Sequence, residues 1–228
     1  MTKPKFIVIE GGDGSGKETQ AKLLVKHLEN AGTQVLYLDF PQYEGFYGQI
    51  VAKYLRGEFG PIAQTSPFLT SIVFALDRST VREKIQSFLN SGGMVVANRY
   101  VPSNMAHQAA NIADPSKRSD FIAWIAELEY DQLRLPREDV VIYLDLPWEI
   151  GMQRSDEKLL SRGRHDYLDG KADIHEISSE HRKETSEVYR QLQRQFSHWQ
   201  LLSCIDADGK QRSVEDIHKK ILSTLHLV

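Results

Sequence analysis

The sequence predicts a three-layer α/β fold in which a parallel sheet carries helices on both faces. Three observations predict it. Short apolar runs alternate with helix-length segments along the chain; the first run opens directly into a glycine-rich loop and a helix; and several runs end in polar or charged residues. Strands buried on both faces read as continuous apolar runs, and the segments between them supply the crossovers that parallel pairing needs. At 228 residues, 41% hydrophobic and 26% charged, the chain is long enough for one α/β core, so a single domain over 1–228 is expected.

Phe6 to Ile9 is the first strand, and Gly11-Gly12-Asp13-Gly14-Ser15-Gly16-Lys17 follows it. A helix from about Lys17 to Ala31 stops at Gly32. The second strand, Val35 to Leu38, ends at Asp39-Phe40-Pro41, where proline breaks the ladder. Residues 42–56 are aromatic and glycine-punctuated, then helical from Ile50 to Leu55; with the loop Gly57 to Pro67 they read as a mobile substrate flap. Leu69 to Leu89 reads as one long helix, because Leu69, Ile72, Val73, Leu76, Val81, Ile85 and Leu89 fall at helical spacing before Gly92-Gly93. Phe74 and Arg78, four apart, share a face of it.

The third strand, Met94 to Ala97, ends at Asn98-Arg99-Tyr100, and Pro102-Ser103-Asn104 reads as a turn and cap before a helix over Met105 to Ala113. Another helix, Phe121 to Leu133, stops before Pro136. Val140 to Leu144 is the fourth strand, closing at Asp145-Leu146-Pro147 ahead of a helix through Arg154. Residues 155–173 are rich in Asp, Lys, Arg, Gly and Ser, with Arg162-Gly163-Arg164 in their middle, and read as a mobile basic lid that orders on binding. Ile174 to Trp199 is expected to be helical, Leu201 to Ile205 to be the fifth strand, and Ser213 to cap the last helix. The three Trp and most Phe are expected in the core.

A net charge of −3 gives no global field for nucleic acid or an anionic membrane, so neither is an expected partner and any anion must be held by a local site. The one cysteine, Cys204, cannot close an internal disulfide and sits in an apolar run, which reads as a core thiol in a reducing, cytoplasmic setting. No apolar run approaches membrane-spanning length, and the N-terminal one is only strand-sized. His165, His175 and His181 do not have the spacing that aligns metal ligands on a helix, and read as surface or lid residues.

The chemistry starts from the glycine loop. A buried strand, a glycine loop and a helix N-terminus make a phosphate cradle, because glycines let successive N–H groups turn inward while the helix dipole and the Lys17 ammonium add positive charge. The pattern G-x-x-x-x-G-K normally continues with a hydroxyl residue for Mg²⁺. Here Glu18 follows, and Thr19 comes one place late, turned about 100° around the helix. Arg78, Arg99, Arg154, Arg162 and Arg164 lie on separate segments that a doubly wound sheet can gather at its carboxyl edge, and the guanine-reading pattern N-K-x-D is absent. That set suits phosphoryl transfer between two bound phosphates under a closing lid.

Glu10 to Lys17, Phe40-Pro41-Gln42-Tyr43, Phe74-Ala75-Leu76-Asp77-Arg78 and Arg99 to Gln108 together resemble the thymidylate kinase family, over nearly the whole chain. The resemblance implies ATP-dependent conversion of dTMP to dTDP on a three-layer P-loop NTPase core with strand order 2-3-1-4-5, Mg²⁺ as cofactor, nucleotides as partners and a homodimer. It places Gly11, Gly12, Asp13, Gly14, Ser15, Gly16, Lys17, Glu18, Thr19 and Arg154 at ATP. Asp13, Pro41, Tyr43, Phe74, Arg78, Arg99, Asn104, His107 and Gln108 fall at the acceptor. Lys17, Asp13, Arg99, Arg162 and Arg164 are the catalytic candidates.

Phe74 would stack on the pyrimidine, Arg78 would reach base or phosphate, and Asn104 would read a pyrimidine edge. The chain departs from the family pattern at Gly14, where some members have arginine, at Asn98, where Asp is frequent, at His107, where Tyr or Phe is common, and at Gln42. Glu18 is either a Mg²⁺ ligand replacing the Asp lost at Asn98 or simply a favourable acid in the first helical turn. A kinase for dUMP or UMP, or a non-catalytic nucleotide-binding module, are the alternatives.

Overall fold

The structure, a computed structural model, describes residues 5–162, 168–169, 173–175 and 178–227. β1 (Phe6–Gly11), β2 (Val35–Asp39), β3 (Met94–Asn98), β4 (Val140–Asp145) and β5 (Trp199–Ser203) form one five-stranded parallel sheet in the order β2-β3-β1-β4-β5. The order 2-3-1-4-5 is the one implied by the resemblance. The register sets Ile9 and Asp39 on either side of Asn98, and Gly11 beside Leu144. The glycine loop, Asp39 and the Asn98-Arg99 corner therefore leave the sheet at one carboxyl edge, where open α/β sheets place their ligands.

Successive strand residues face opposite layers. Ile7, Ile9, Val96, Ile142 and Leu144 pack against α1 (Lys17–Asn30) and α9 (Val214–Thr224) through Ala21, Leu24, Leu28, Ile217 and Ile221. Phe6, Val8, Val95, Ala97, Val141 and Tyr143 pack on the other side. They meet Ile85 of α4 (Arg82–Asn90), Met105 of α5 (Val101–Ala109), Ile122 of α6 (Arg118–Ala126) and Tyr189 of α8 (Ser179–Gln195). Each such aliphatic side chain contributes about 1.5–3 kcal/mol of burial. Beside the sheet edge, α2 (Phe46–Leu55) and α3 (Pro67–Ser79) pair through Val51, Tyr54, Val73 and Phe74, forming a wall of the site.

Several elements differ from the sequence reading. The single helix expected over Leu69 to Leu89 is two, α3 and α4. The hydroxyls of Ser79 and Thr80 donate back to the carbonyls of Leu76 and Asp77, both at 2.7 Å, and compete with the continuing helix. Leu69 is 66% exposed rather than on a core face, and Phe46, Phe59 and Phe68 are also exposed, whereas Trp199 is buried. α5 starts at Val101, with Pro102 in the first turn where its missing N–H costs nothing, so Asn104 lies inside the helix and caps nothing. α6 passes into a π-helical turn at Glu127–Gln132 instead of continuing as α-helix.

α7 (Trp148–Arg162) runs through the first part of the expected lid, so 155–162 is helix. Most of 163–173 lies outside the described residues. Ile174 precedes α8 rather than opening it; the cap is Ser178, whose Oγ accepts from the His181 N–H at 3.1 Å. β5 begins at Trp199, before the expected Leu201, because that indole packs near the Tyr143 and Tyr189 rings. Ser213 caps α9 as expected, accepting from the Asp216 N–H at 3.0 Å.

α7 lies against the glycine loop at one point. A Cβ on Gly14 (φ 77°) would overlap the Gly151 carbonyl, and one on Gly151 would overlap the Asp13 carbonyl. Gly151→Ala must therefore displace the loop or the helix, a strain of about 1–3 kcal/mol. Borne by the loop, it should lower about tenfold the affinity for the ATP that the sequence resemblance places there, with only a modest fall in melting temperature; calorimetric ATP titration beside a thermal melt checks this.

Candidate active site

The cradle is built by backbone geometry. Gly11, Gly14 and Gly16 take φ of 152°, 77° and 88°, values that side chains resist. Gly16 leads into α1 without a side-chain cap, leaving the helix's first N–H groups for an anion. The Lys17 ammonium donates to the Gly12 carbonyl at 2.8 Å and stands 3.8 Å from an Asp13 oxygen. Burial, then the Arg99 charge, draw its pKa down to about 8 against the opposing pull of Asp13.

Arg99 sits in the left-handed region (φ 64°), a conformation that persists only when the surroundings impose it. Its N–H donates to the Ile9 carbonyl at 3.1 Å, one Nη donates to Asp13, and the other lies 3.0 Å from His107 Nε2. Burial alone would raise the Asp13 carboxyl, but Arg99 and Lys17 outweigh it and hold Asp13 far below the ordinary carboxylate range. Arg99, just past β3, and Lys17, at the start of α1, thus converge on one aspartate.

The acceptor candidates share one cleft of about 1340 Å³ with the cradle: Pro41, Tyr43, Phe74, Arg78, Arg99, Asn104, His107 and Gln108 line it together with Asp13, Gly14, Gly16, Lys17, Glu18, Thr19 and Arg154. Arg78 is not an isolated cation. Its Nε and one Nη donate to both oxygens of buried Glu129, at 2.6 and 2.7 Å. Asn104 Nδ2 also donates to Glu129, at 2.7 Å, and to the Ser71 carbonyl at 3.1 Å. That leaves Asn104 Oδ1 buried without a partner, and Gln108 Nε2 is likewise buried and unpartnered.

At the cradle's outer side Glu18 pairs with Lys22 at 2.6 Å on the exposed face of α1, and Thr19 is exposed. Asp39 accepts from Asn98 Nδ2 at 2.8 Å, while Asn98 Oδ1 is buried and unpartnered. Burial raises the Asp39 carboxyl, and Glu18 adds to the rise. The Gln42 backbone N–H donates to Asp77 at 2.9 Å, and its side-chain Nε2 donates to the Asp39 carbonyl. Arg162 closes the backbone of α7, and Arg164 lies outside the described residues.

Sequence reasoning missed six contributors. Glu10 was quoted only as part of a motif, yet its buried carboxylate accepts from the N–H groups of Tyr100 and Ser103 and the hydroxyls of Ser103 and Tyr189, at 2.7–3.1 Å. Its position beside the glycine loop was the available signal. Asp39 and Glu129 carried none beyond being acids near predicted element ends. Arg182, on α8, lies beside Asp13 and His107 around a small cavity, and its charge acts on Asp13. His175 and His181 are corrected from surface residues to buried ones; their rings stand 4.4 Å apart, and each lies within 6 Å of the His107 ring. His165 lies outside the described residues.

Comparison with known proteins decides the family. The model of the family described as "Thymidylate kinase" matches residues 9–221. The chain belongs to the thymidylate kinase family. It is 34% identical to the thymidylate kinase of Mycobacterium tuberculosis (strain H37Rv) over 189 residues, covering 82% of this chain and 85% of the relative. It is 34% identical to that of Plasmodium falciparum over 220 residues, covering 96% and 89%, and 32% identical to a probable thymidylate kinase of Thermococcus gammatolerans over 222 residues, covering 95% and 93%. A solved thymidylate kinase from Candida albicans superimposes with a TM-score of 0.71 at 18% identity, over 99% of this chain and 92% of that one, which speaks to the fold.

As a thymidylate kinase, the chain phosphorylates dTMP to dTDP with ATP, and its departures from the family pattern acquire physical reasons. The arginine that some thymidylate kinases carry at the Gly14 position has no room here, because α7 closes on that glycine through Gly151. From α8, the charge of Arg182 acts on Asp13 of the same loop.

Lys17 gives a pH signature. A bound phosphate favours the ammonium, so the lysine's pKa is higher in the complex than in the free protein, where it is about 8. ATP affinity should hold constant below that value and fall as pH rises through it. Calorimetric ATP titrations from mildly acidic to alkaline pH test this, and Lys17→Arg, charged throughout, should flatten the dependence.

Proposed function

We propose that dTMP lies in the cleft with its base between Phe74 and the Asn104–Gln108 face of α5 and its phosphate toward Arg99. The observation that carries this reading is the pair of orphaned buried atoms, an acceptor on Asn104 and a donor on Gln108, lining the same cleft as the phosphate cradle. Unpaired buried polar atoms cost about 1–3 kcal/mol each. A thymine edge, with an N3–H donor flanked by carbonyl oxygens, relieves both. Cytosine presents an acceptor at N3 and would meet Asn104 Oδ1 acceptor to acceptor. Arg78, its charge largely answered by Glu129, suits a neutral base oxygen better than a phosphate.

Arg99 and Tyr43 hold the acceptor phosphate, and Asp13 fixes Arg99 while accepting from the sugar 3′-hydroxyl. Lys17 and the backbone N–H groups of residues 11–17 hold the ATP phosphates, and Arg154, Arg162, Arg164 and Arg182 add charge around the transferring group. Transfer is direct and in line: the acceptor phosphate oxygen attacks the γ-phosphorus as the bond to the β,γ-bridging oxygen breaks, leaving ADP. The chain's contribution is positioning, charge stabilisation and exclusion of water.

Asp39, Glu18 and the unpaired Asn98 Oδ1 offer the hard oxygen donors that Mg²⁺ requires, and the Glu18 charge adds to the rise of the Asp39 carboxyl, a repulsion that a cation would relieve. Bound there, Mg²⁺ supplies charge neutralisation on the ATP phosphates. A single domain spanning 1–228, in a cytoplasmic homodimer, completes the reading. The exposed Phe68 and Leu69 of α3, beside Trp124, support the dimer, and the lone buried thiol of Cys204, pushed up to about 12 chiefly by burial, supports a reducing setting.

Mg²⁺-dependent ADP release with dTMP, dUMP, UMP and dCMP tests the pocket. dTMP should be preferred and dCMP should lag by about tenfold or more, the effect of one mismatched buried hydrogen bond. Comparable rates with UMP would show that His107 leaves the sugar pocket open to a 2′-hydroxyl. ATP-induced stabilisation without any ADP would replace the enzyme reading with a binding module. Asp39→Ala should raise the Mg²⁺ concentration for half-maximal turnover about tenfold, and Glu18→Ala less. An unchanged Mg²⁺ titration in both variants would reject this ligand set.

A further inference from the structure

We propose that His107, His175 and His181 form a zinc-type metal site that nothing in the phosphoryl-transfer reading requires, and whose occupation competes with the engagement of Arg99. The three imidazoles come from α5, from the stretch before α8 and from α8 itself, and each presents a ring nitrogen within 4.8 Å of the other two. His107 Nδ1 and His181 Nε2 are already 3.4 Å apart. Two nitrogens bound tetrahedrally to one Zn²⁺ at 2.0–2.1 Å stand about 3.3–3.4 Å apart, so this edge of the site needs no movement. A cavity of about 20 Å³, lined by His107 and His181 with Asp13 and Arg182, has room for a water or an ion.

The outer contacts orient two rings for ligation. His181 Nδ1 lies 2.9 Å from Asn111 Oδ1, an amide oxygen that can only accept, so the proton is on Nδ1 and the lone pair is on Nε2, facing His107. His175 Nε2 is 2.9 Å from the Tyr54 hydroxyl, and donation to that oxygen leaves Nδ1 as the ligand. Metal-bound histidines typically carry such a partner on the second nitrogen. Burial keeps all three imidazoles neutral at physiological pH, which is the form that ligates. Three imidazoles suit Zn²⁺ and its neighbours, not Mg²⁺, which takes oxygen.

His107 makes the site antagonistic to the reaction. A guanidinium only donates, so the 3.0 Å contact from Arg99 requires a lone pair on His107 Nε2. In the metal-free protein the proton is therefore on Nδ1, pointing at His181. A metal on Nδ1 moves that proton to Nε2, where it faces an Arg99 N–H. The Arg99–His107 hydrogen bond is lost, and the cation adds repulsion toward Arg99, Lys17 and Arg182 against attraction from Asp13. Metal and acceptor phosphate, which needs Arg99 in place, should weaken each other by the same factor.

The test uses the full chain freed of metal by a chelator. Equilibrium dialysis against micromolar Zn²⁺ should give one bound equivalent, and Co²⁺ should give a tetrahedral visible spectrum without thiolate charge transfer. His175→Gln and His181→Gln should each lose at least about tenfold in affinity. Asn111→Ala should lose part of it, and His218→Gln, outside the cluster, none. dTMP should weaken Zn²⁺ binding in the wild type. Stoichiometric binding that survives both cluster substitutions, or no binding at micromolar Zn²⁺, overturns the site; binding indifferent to dTMP overturns the antagonism. Should the cluster variants fail to fold, the wild-type Co²⁺ spectrum and stoichiometry decide. Metal stoichiometry does not depend on the kinase reading, so the two can fail separately.

Discussion

The buried carboxylate of Glu10 is the contact on which the geometry of the site depends. It lies at the carboxyl end of the central strand, one residue before the glycine loop, and faces the N-terminus of α5, where Tyr100 at the cap position makes no side-chain capping bond, its hydroxyl being turned to the Pro136 carbonyl. Glu10 fills that role from a different strand, accepting from the Tyr100 and Ser103 N–H groups, and it also receives the Tyr189 hydroxyl of α8. Burial raises its pKa, while the surrounding donors and Arg99 favour its charged form. One side chain thus ties the phosphate loop, the Arg99 corner and α8 together. Removing it would strand several buried donors at once, which is costlier than losing any one hydrogen bond. Its bond to the Tyr100 N–H anchors the residue that follows Arg99, whose left-handed backbone is held by its own bonds to Ile9 and Asp13.

Charge in the cleft is arranged in pairs. Arg99 is answered by Asp13, Arg78 by Glu129, and Glu18 by Lys22. Such pairs do little for stability on balance, because desolvation consumes most of the Coulomb gain. Their use is positional: a guanidinium held by a carboxylate does not have to be ordered when the nucleotide arrives. The two orphaned amide atoms of α5, Asn104 Oδ1 and Gln108 Nε2, are the counterpart, polar groups held in the cleft wall without a partner of their own. The histidine cluster beside them connects α5 and α8 to Arg99 through His107, and His107 and His181 share a small cavity with Gly12 and Asp13 of the glycine loop.

Thymidylate kinase membership explains the shared blocks, and this chain's own packing explains where it departs from them. Gly14 is required by the approach of Gly151. Asn98, lacking a charge, leaves Asp39 as the carboxylate at that sheet edge, with its amide holding the aspartate in place. His107 turns toward Arg99 and two further imidazoles, in a cluster that no single segment encodes.

What the sequence determined by itself is what depends on neighbours along the chain. Apolar runs bounded by glycine, proline and aspartate fixed the strands to within a few residues, and the Gly11 to Lys17 loop declared a phosphate site because its strand, glycines and helix start are contiguous. The family blocks located Arg99, Asn104 and Phe74 for the same reason. Tertiary structure alone decided the rest. The break at Ser79-Thr80 depends on hydroxyls competing for backbone carbonyls, and the exposure of Leu69 on which helix packs where. That Arg78 serves Glu129, that Glu10 caps α5, and that His107 meets His175 and His181 across 68 and 74 positions follow only once strand order and helix packing bring distant segments into contact, since burial and pairing are properties of neighbours in space.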